Sequence, residues 1–222
     1  MKSRKRAPLS RLAGRPRSFD SAKALDRALQ IFWRKGYAGA SLSDLTTAMR
    51  INRPSLYAAF GDKETLFLRV LDHYAQGPGS HALHALDEPT SRAVVEKLLR
   101  GGADLLTAPG NPRGCLLVHG ALTCGNNADS MRRELISRRT ASELALRSRF
   151  TRARKEGDLP KDANPANLAR YIVTIIHGMS VQAAGGATRA ELRCVADIAL
   201  QNWPTSRVLH KKQLGTPAIT GD

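Results

Sequence analysis

The sequence predicts an all-α protein in which an N-terminal three-helix unit, built on a helix-turn-helix, precedes a larger helical region. Aromatic residues are 5% of the 222 residues, Ala and Leu are abundant, and Gly and Pro fall mostly between periodic segments. Strong helix formers therefore fill the elements and breakers separate them. Residues 41 to 63, SLSDLTTAMRINRPSLYAAFGDK, read as two short helices joined by a tight turn. The formal charge of +16 and pI near 10.6 point to a polyanionic partner. Residues 1 to 76 carry 15 Lys/Arg against 6 Asp/Glu, net +9, whereas the remaining 146 carry 20 against 13, net +7. The basic excess is densest around the motif.

Residues 1 to 17, MKSRKRAPLSRLAGRPR, hold seven Lys/Arg and no acid, so this arm is expected to be disordered when free. Arg15 and Arg17 flank a proline that extends the chain, a form suited to a narrow, electronegative minor groove. A merely solubilising basic tail fits the same residues. Asp20 is the N-cap of a helix over 21 to 35, with Ala24, Leu25, Ala28, Leu29 and Phe32 apolar and Gly36 just past its end. In the motif, Ser41 and Asp44 have capping-box spacing, and Leu42, Leu45 and Met49 form one apolar stripe. Asn52 is the next N-cap, with Pro54 in the first turn, where a missing amide hydrogen is harmless. Leu56 and Phe60 then face inward, which leaves Arg53, Ser55 and Tyr57 at the helix end that a helix-turn-helix presses into the major groove. Gly61-Asp62 ends this helix and caps another over 63 to 76, whose Lys63 is placed for a phosphate.

The run from GRPRSFD through ALQIFWRKGYAGASLSDLTTAMRINRPSLYAAFGDKETLF closely resembles the N-terminal DNA-binding domain of the TetR/AcrR family of bacterial transcriptional regulators. The resemblance spans about sixty residues, with GY after the first helix, LY in the reading helix and DK after it. It implies a homodimeric regulator, usually a repressor, that binds a double-stranded DNA operator. It further implies a C-terminal helical ligand-binding and dimerisation domain, where a small-molecule effector changes the spacing of the reading heads. Family members commonly have glycine in the turn where this chain has Arg50, a residue that would be strained in a left-handed backbone and would add a charge near DNA. The expected DNA-binding set is Ser41, Arg50, Arg53, Ser55, Tyr57 and Lys63 with Arg15 and Arg17 of the arm.

Gly77-Pro78-Gly79 reads as a hinge, which divides the chain into residues 18–78 and 79–205 with a loose basic tail at 206–222. His81 and His84 have a helical i, i+3 spacing that suits a metal but is more often exposed or hydrogen-bonded. A helix over 91 to 107 contains Gly101-Gly102, a place for a bend. The stretch PRGCLLVHGALTCGNN, 112 to 127, is the candidate effector segment, with Cys115, His119 and Cys124 as candidate contacts. Cys115 and His119 share a helix face, so the histidine can activate the thiol or join it on a soft metal ion. A small buried thiol beside a hydrogen-bonded core histidine is the simpler reading of the pair. A long helix over 128 to 156 carries nine Lys/Arg, mostly a solvated face.

Two apolar helices close the chain, about 165–184 and 189–202. Leu168, Tyr171, Ile172, Ile175 and Met179 form one stripe, and Leu192, Val195, Ala196 and Ala199 another. In the family the equivalent helices of two subunits form a four-helix bundle, so Leu168, Tyr171, Ile172, Ile175, Met179, Leu192, Val195 and Ala199 are the expected dimerisation residues. Intramolecular core is the alternative.

Three cysteines, an odd number, argue against a disulfide framework and for a reducing, cytoplasmic setting. No run approaches transmembrane length, so no membrane partner is expected. No cofactor or metal signature and no acid, base and nucleophile constellation stands out, so the chain is not read as an enzyme built on Cys115. An architectural protein that coats DNA without sequence choice is the rival that charge alone would allow.

Overall fold

The structure is a computed structural model that describes residues 19–122 and 128–205. The described residues form ten helices: α1 (Ser21–Gly39), α2 (Leu42–Met49), α3 (Arg53–Phe60), α4 (Lys63–Gln76), α5 (His81–Ala85), α6 (Ser91–Leu106), α7 (Leu116–Leu122), α8 (Asp129–Lys155), α9 (Pro165–Ala184) and α10 (Arg189–Gln201). Among the described residues no β-strand occurs.

The local signals act as the sequence indicates. The Asp20 side chain accepts from the amides of Ala22 and Lys23 and so starts α1. Regular helix stops at Gly36, whose φ of 68° and ψ of 177° a side chain would resist. Tyr37 then folds back, nearly parallel to the ring of Phe32 and 5.1 Å from that of Phe67. At Gly77 the amide bonds the His73 carbonyl and ends α4. The Gly101-Gly102 pair lies inside a continuous α6. Its missing side chain makes room for His81, whose ring would stand 2.7 Å from a Cβ at position 101.

Two apolar cores result. The first unites α1 to α4 around Phe32, Leu45, Met49, Leu56, Phe67 and Leu71, and also takes in Leu116 of α7 and Met131 and Leu135 of α8. The second lies among α6, the far half of α8, α9 and α10, around Leu99, Phe150, Leu159, Ile172 and Trp203. Thus α8 runs through both, and the reading unit is packed onto the body rather than tethered by the Gly77-Pro78-Gly79 segment alone. Cys115, half-buried, packs against both cores.

Candidate nucleic-acid interface

The helix-turn-helix is held by polar contacts at each helix end. Ser41 and Asp44 complete a capping box: the Asp44 amide donates to Ser41 Oγ at 3.0 Å, and the Ser41 amide donates to Asp44 Oδ2 at 3.0 Å. Lys35 of α1 adds an ion pair to Asp44 Oδ1 at 2.7 Å. The Lys35 ammonium first, then the Ser41 hydroxyl and amide, hold the Asp44 carboxyl down at about 2. At the other end of α2, Arg27 of α1 donates to the Met49 carbonyl at 3.4 Å, and Arg69 of α4 donates to the Ala59 carbonyl near the end of α3 at 3.0 Å. Two scaffold arginines thereby satisfy carbonyls that a helix terminus leaves open. Neither stood out in the sequence, because a capping arginine comes from a different helix and follows no local pattern.

Arg50 occupies the turn with φ 57° and ψ 43°, the left-handed conformation. Its amide bonds the Thr47 carbonyl and the Ile51 amide bonds the Thr46 carbonyl, so the turn needs this geometry to close α2. Strain on a non-glycine residue is the consequence.

For α3, the Asn52 side chain accepts from the Ser55 amide at 2.8 Å, and Pro54 sits in the first turn. Leu56 and Phe60 are buried against the scaffold. Arg53 is exposed and Tyr57 is 49% exposed. Ser55, by contrast, is half-buried. Pro54 and Ala58 also lie on the exposed face, one turn apart. In the sequence Pro54 marks only the start of the helix and Ala58 carries no obvious chemistry, yet both suit contact with a thymine methyl group. The i, i+4 spacing was the available signal. Lys63, at the first turn of α4, is half-buried with its ammonium 4.5 Å from the centre of the Tyr37 ring. Loss of solvent lowers its pKa. Arg15 and Arg17 lie outside the described residues.

Behind the reading unit, Cys115 immediately precedes α7 and His119 lies within it, with the His119 amide donating to the Cys115 carbonyl at 3.0 Å. The Tyr74 hydroxyl donates to Cys115 Sγ at 3.5 Å, while Ser180 Oγ lies 3.4 Å from His119 Nε2. Cys124 is outside the described residues. Among the described residues no group of three or more His, Cys, Asp or Glu comes together as a metal site. His84 is exposed and His81 is packed over α6. Of the basic residues on α8, Arg149 turns inward, and its guanidinium donates to the carbonyls of Leu86, Glu88 and Pro89. Backbone therefore engages that inward arginine.

The expected dimerisation stripes require correction. Ile172, Met179, Leu192 and Ala199 are buried within the single chain at 0–2% exposure, so they form its own core. Leu168 and Ile175 are half-buried. The apolar residues left open are Tyr171 and Val181 on α9 and Val195 and Ile198 on α10, at 40–59% exposure.

Fold and site together define a helix-turn-helix DNA-binding protein with a helical body. Comparison with known proteins agrees: the model for bacterial regulatory proteins of the tetR family matches residues 24–70, and the tetracyclin repressor-like C-terminal domain matches residues 92–194. The chain is 32% identical over 193 residues to the HTH-type transcriptional repressor ComR of Escherichia coli (strain K12), across 86% of this chain and 92% of ComR. It is 37% identical over 116 residues to the repressor BdcR of the same organism, across 50% and 57% of the two chains. A cysteine-mutant form of the TetR family regulator CifR, complexed with 26-base-pair double-strand operator DNA, matches with TM-score 0.82 and 43% identity, over 86% of this chain and 100% of CifR. This chain belongs to the TetR family of bacterial transcriptional regulators.

Proposed function

We propose that two copies of this chain form a repressor that binds an inverted-repeat operator and leaves it when an effector occupies the body. The observation that supports this best is α3: it is capped by Asn52, anchored by Leu56 and Phe60, and offers Arg53, Pro54, Tyr57 and Ala58 outward. One such helix spans a half-site, so a two-fold dimer reads a symmetric pair. Arg53, Ser55 and Tyr57 address bases, whereas Lys63, Ser41, Arg50, Arg15 and Arg17 address the phosphate backbone or the minor groove. In the dimer, Tyr171 and Val181 of α9 meet Val195 and Ile198 of the partner's α10, with Ile175 and Leu168 at the margin. The effector acts on the segment of Cys115 and His119, which adjoins both cores. We read the protein as a regulator with no reaction of its own, acting in the cytoplasm where the chromosome lies.

Selection of bound fragments from a random DNA library, followed by footprinting and light scattering, tests the reading. A dimer protecting an inverted repeat is expected. A monomer on a single asymmetric element, or binding lost to any bulk DNA, would overturn it.

A further inference from the structure

Gly114 and Cys115 are joined by one peptide group, and its two ends are held by two different parts of the molecule. The carbonyl of Gly114 accepts a hydrogen bond from Trp33 Nε1 of α1 at 2.9 Å, and the amide of Cys115 donates to Ser180 Oγ of α9 at 2.8 Å. A trans peptide is a rigid plane whose C=O and N–H point in opposite directions. Its two partners therefore sit on opposite sides: the reading unit on one, the dimerisation helix on the other. The placement is enforced locally. Gly114 has φ +93°, and any Cβ there would come 2.3 Å from the His119 ring. Trp33 is 3% exposed and Ser180 0%, so neither bond has solvent to replace it. Ser180 also directly precedes Val181, which lies about 100° further round α9 and is 52% exposed, on the side where the partner protomer is placed.

We infer that the Gly114–Cys115 peptide is a strut that fixes the angle between α9 and α1, with Trp33 and Ser180 as positioning residues that set the distance between the two reading heads. This rests on the dimeric operator-binding reading above. A shift of α9 moves Ser180, the rigid peptide carries the shift to Trp33, and the two-fold axis doubles it at the DNA. Neither residue touches DNA, so their effect falls on half-site spacing and not on base choice.

The test is binding of Trp33→Phe, Ser180→Ala and the double variant to the selected operator and to versions with one base pair added or removed between half-sites. Each base pair rotates one half-site by about 35° relative to the other. Wild type is expected to discriminate among these spacings. Each single variant should narrow that discrimination by about fivefold, the factor one net hydrogen bond supplies, with base preference inside the half-site unchanged. The double variant should equal the single ones, since freeing either end frees the strut. Trp33→Phe keeps a buried ring and carries the test alone if Ser180→Ala does not fold. Uniform weakening at every spacing, unchanged discrimination, or multiplicative effects in the double variant would overturn the inference. A wild type with no preferred site at any spacing would instead refute the operator reading and remove the strut with it.

Discussion

Replacing Arg50 with glycine is expected to stabilise the folded protein by about 1 kcal/mol. The residue sits at φ 57° and ψ 43°, where an L side chain is disfavoured by about 1–2 kcal/mol. Glycine removes that penalty but adds freedom to the unfolded chain, which offsets roughly 0.5–1 kcal/mol of the gain. The balance corresponds to a rise in Tm of about 2–4 °C for a chain of this size. Arg50→Ala is the control, because alanine keeps the Cβ and hence the strain, and should stay within about 0.5 kcal/mol of wild type. Thermal and denaturant unfolding at one fixed protein concentration measure both, the fixed concentration being needed because dimerisation contributes to stability. Both variants lose the same charge, so their affinities for DNA should show the same dependence on salt. A glycine variant no more stable than the alanine variant would refute the reasoning, since the left-handed turn would then carry no strain.

Three further outcomes follow from the same structure. The Asp44 carboxyl is held at about 2 against an ordinary 3.8, so its contribution is present above pH 3.8 and is lost as pH falls through about 2. Asp44→Asn should therefore flatten the dependence of Tm on pH in that window; an unchanged slope would show that the Lys35 pair and capping box do not respond to its charge. Val195→Glu or Ile198→Glu should yield a folded monomer in light scattering, whereas Ile172→Ala, which opens a cavity in the core, should lower stability by about 2–5 kcal/mol; a glutamate variant that stays dimeric would move the interface elsewhere. Cys115→Ser should retain DNA binding but resist release by thiol-reactive reagents or soft metal ions, and wild-type binding that is indifferent to all of these would leave Cys115 as packing between the two cores.

Much of this architecture is readable from local chemistry. Asp20, Ser41, Asn52 and Asp62 cap helices where their short polar side chains reach amides within the next turn, and Gly36 and Gly77 end helices for reasons contained in a few residues. The turn at Arg50 was recognisable because the family resemblance set glycine beside it. What stayed hidden depends on contacts distant in sequence. Ile172 and Tyr171 are neighbours on an apolar helix, and periodicity does not say which one a single chain covers and which one it leaves for a partner. Ser180 looks like an ordinary polar break in α9 until the Cys115 amide, 65 positions earlier, is placed against it. Arg149 is likewise one basic residue among many on α8 until it meets the carbonyls after α5. At the reading helix, the exposed pair Pro54 and Ala58 was visible in the spacing but silent in chemistry.

Affinity as a function of salt concentration, on the preferred site and on its single-base-pair variants, tests the central claim that α3 reads bases while α4 grips the backbone. For Arg53→Ala, preference at particular base pairs should relax by about 1–3 kcal/mol, and changes at Ser55 or Tyr57 should act in the same way at their own positions. Lys63→Ala should weaken binding to every sequence by the same factor and reduce the salt slope by about one. Altered base preference in Lys63→Ala, together with unchanged preference in the Arg53, Ser55 and Tyr57 variants, would contradict the account and place a different face of the reading unit against the DNA.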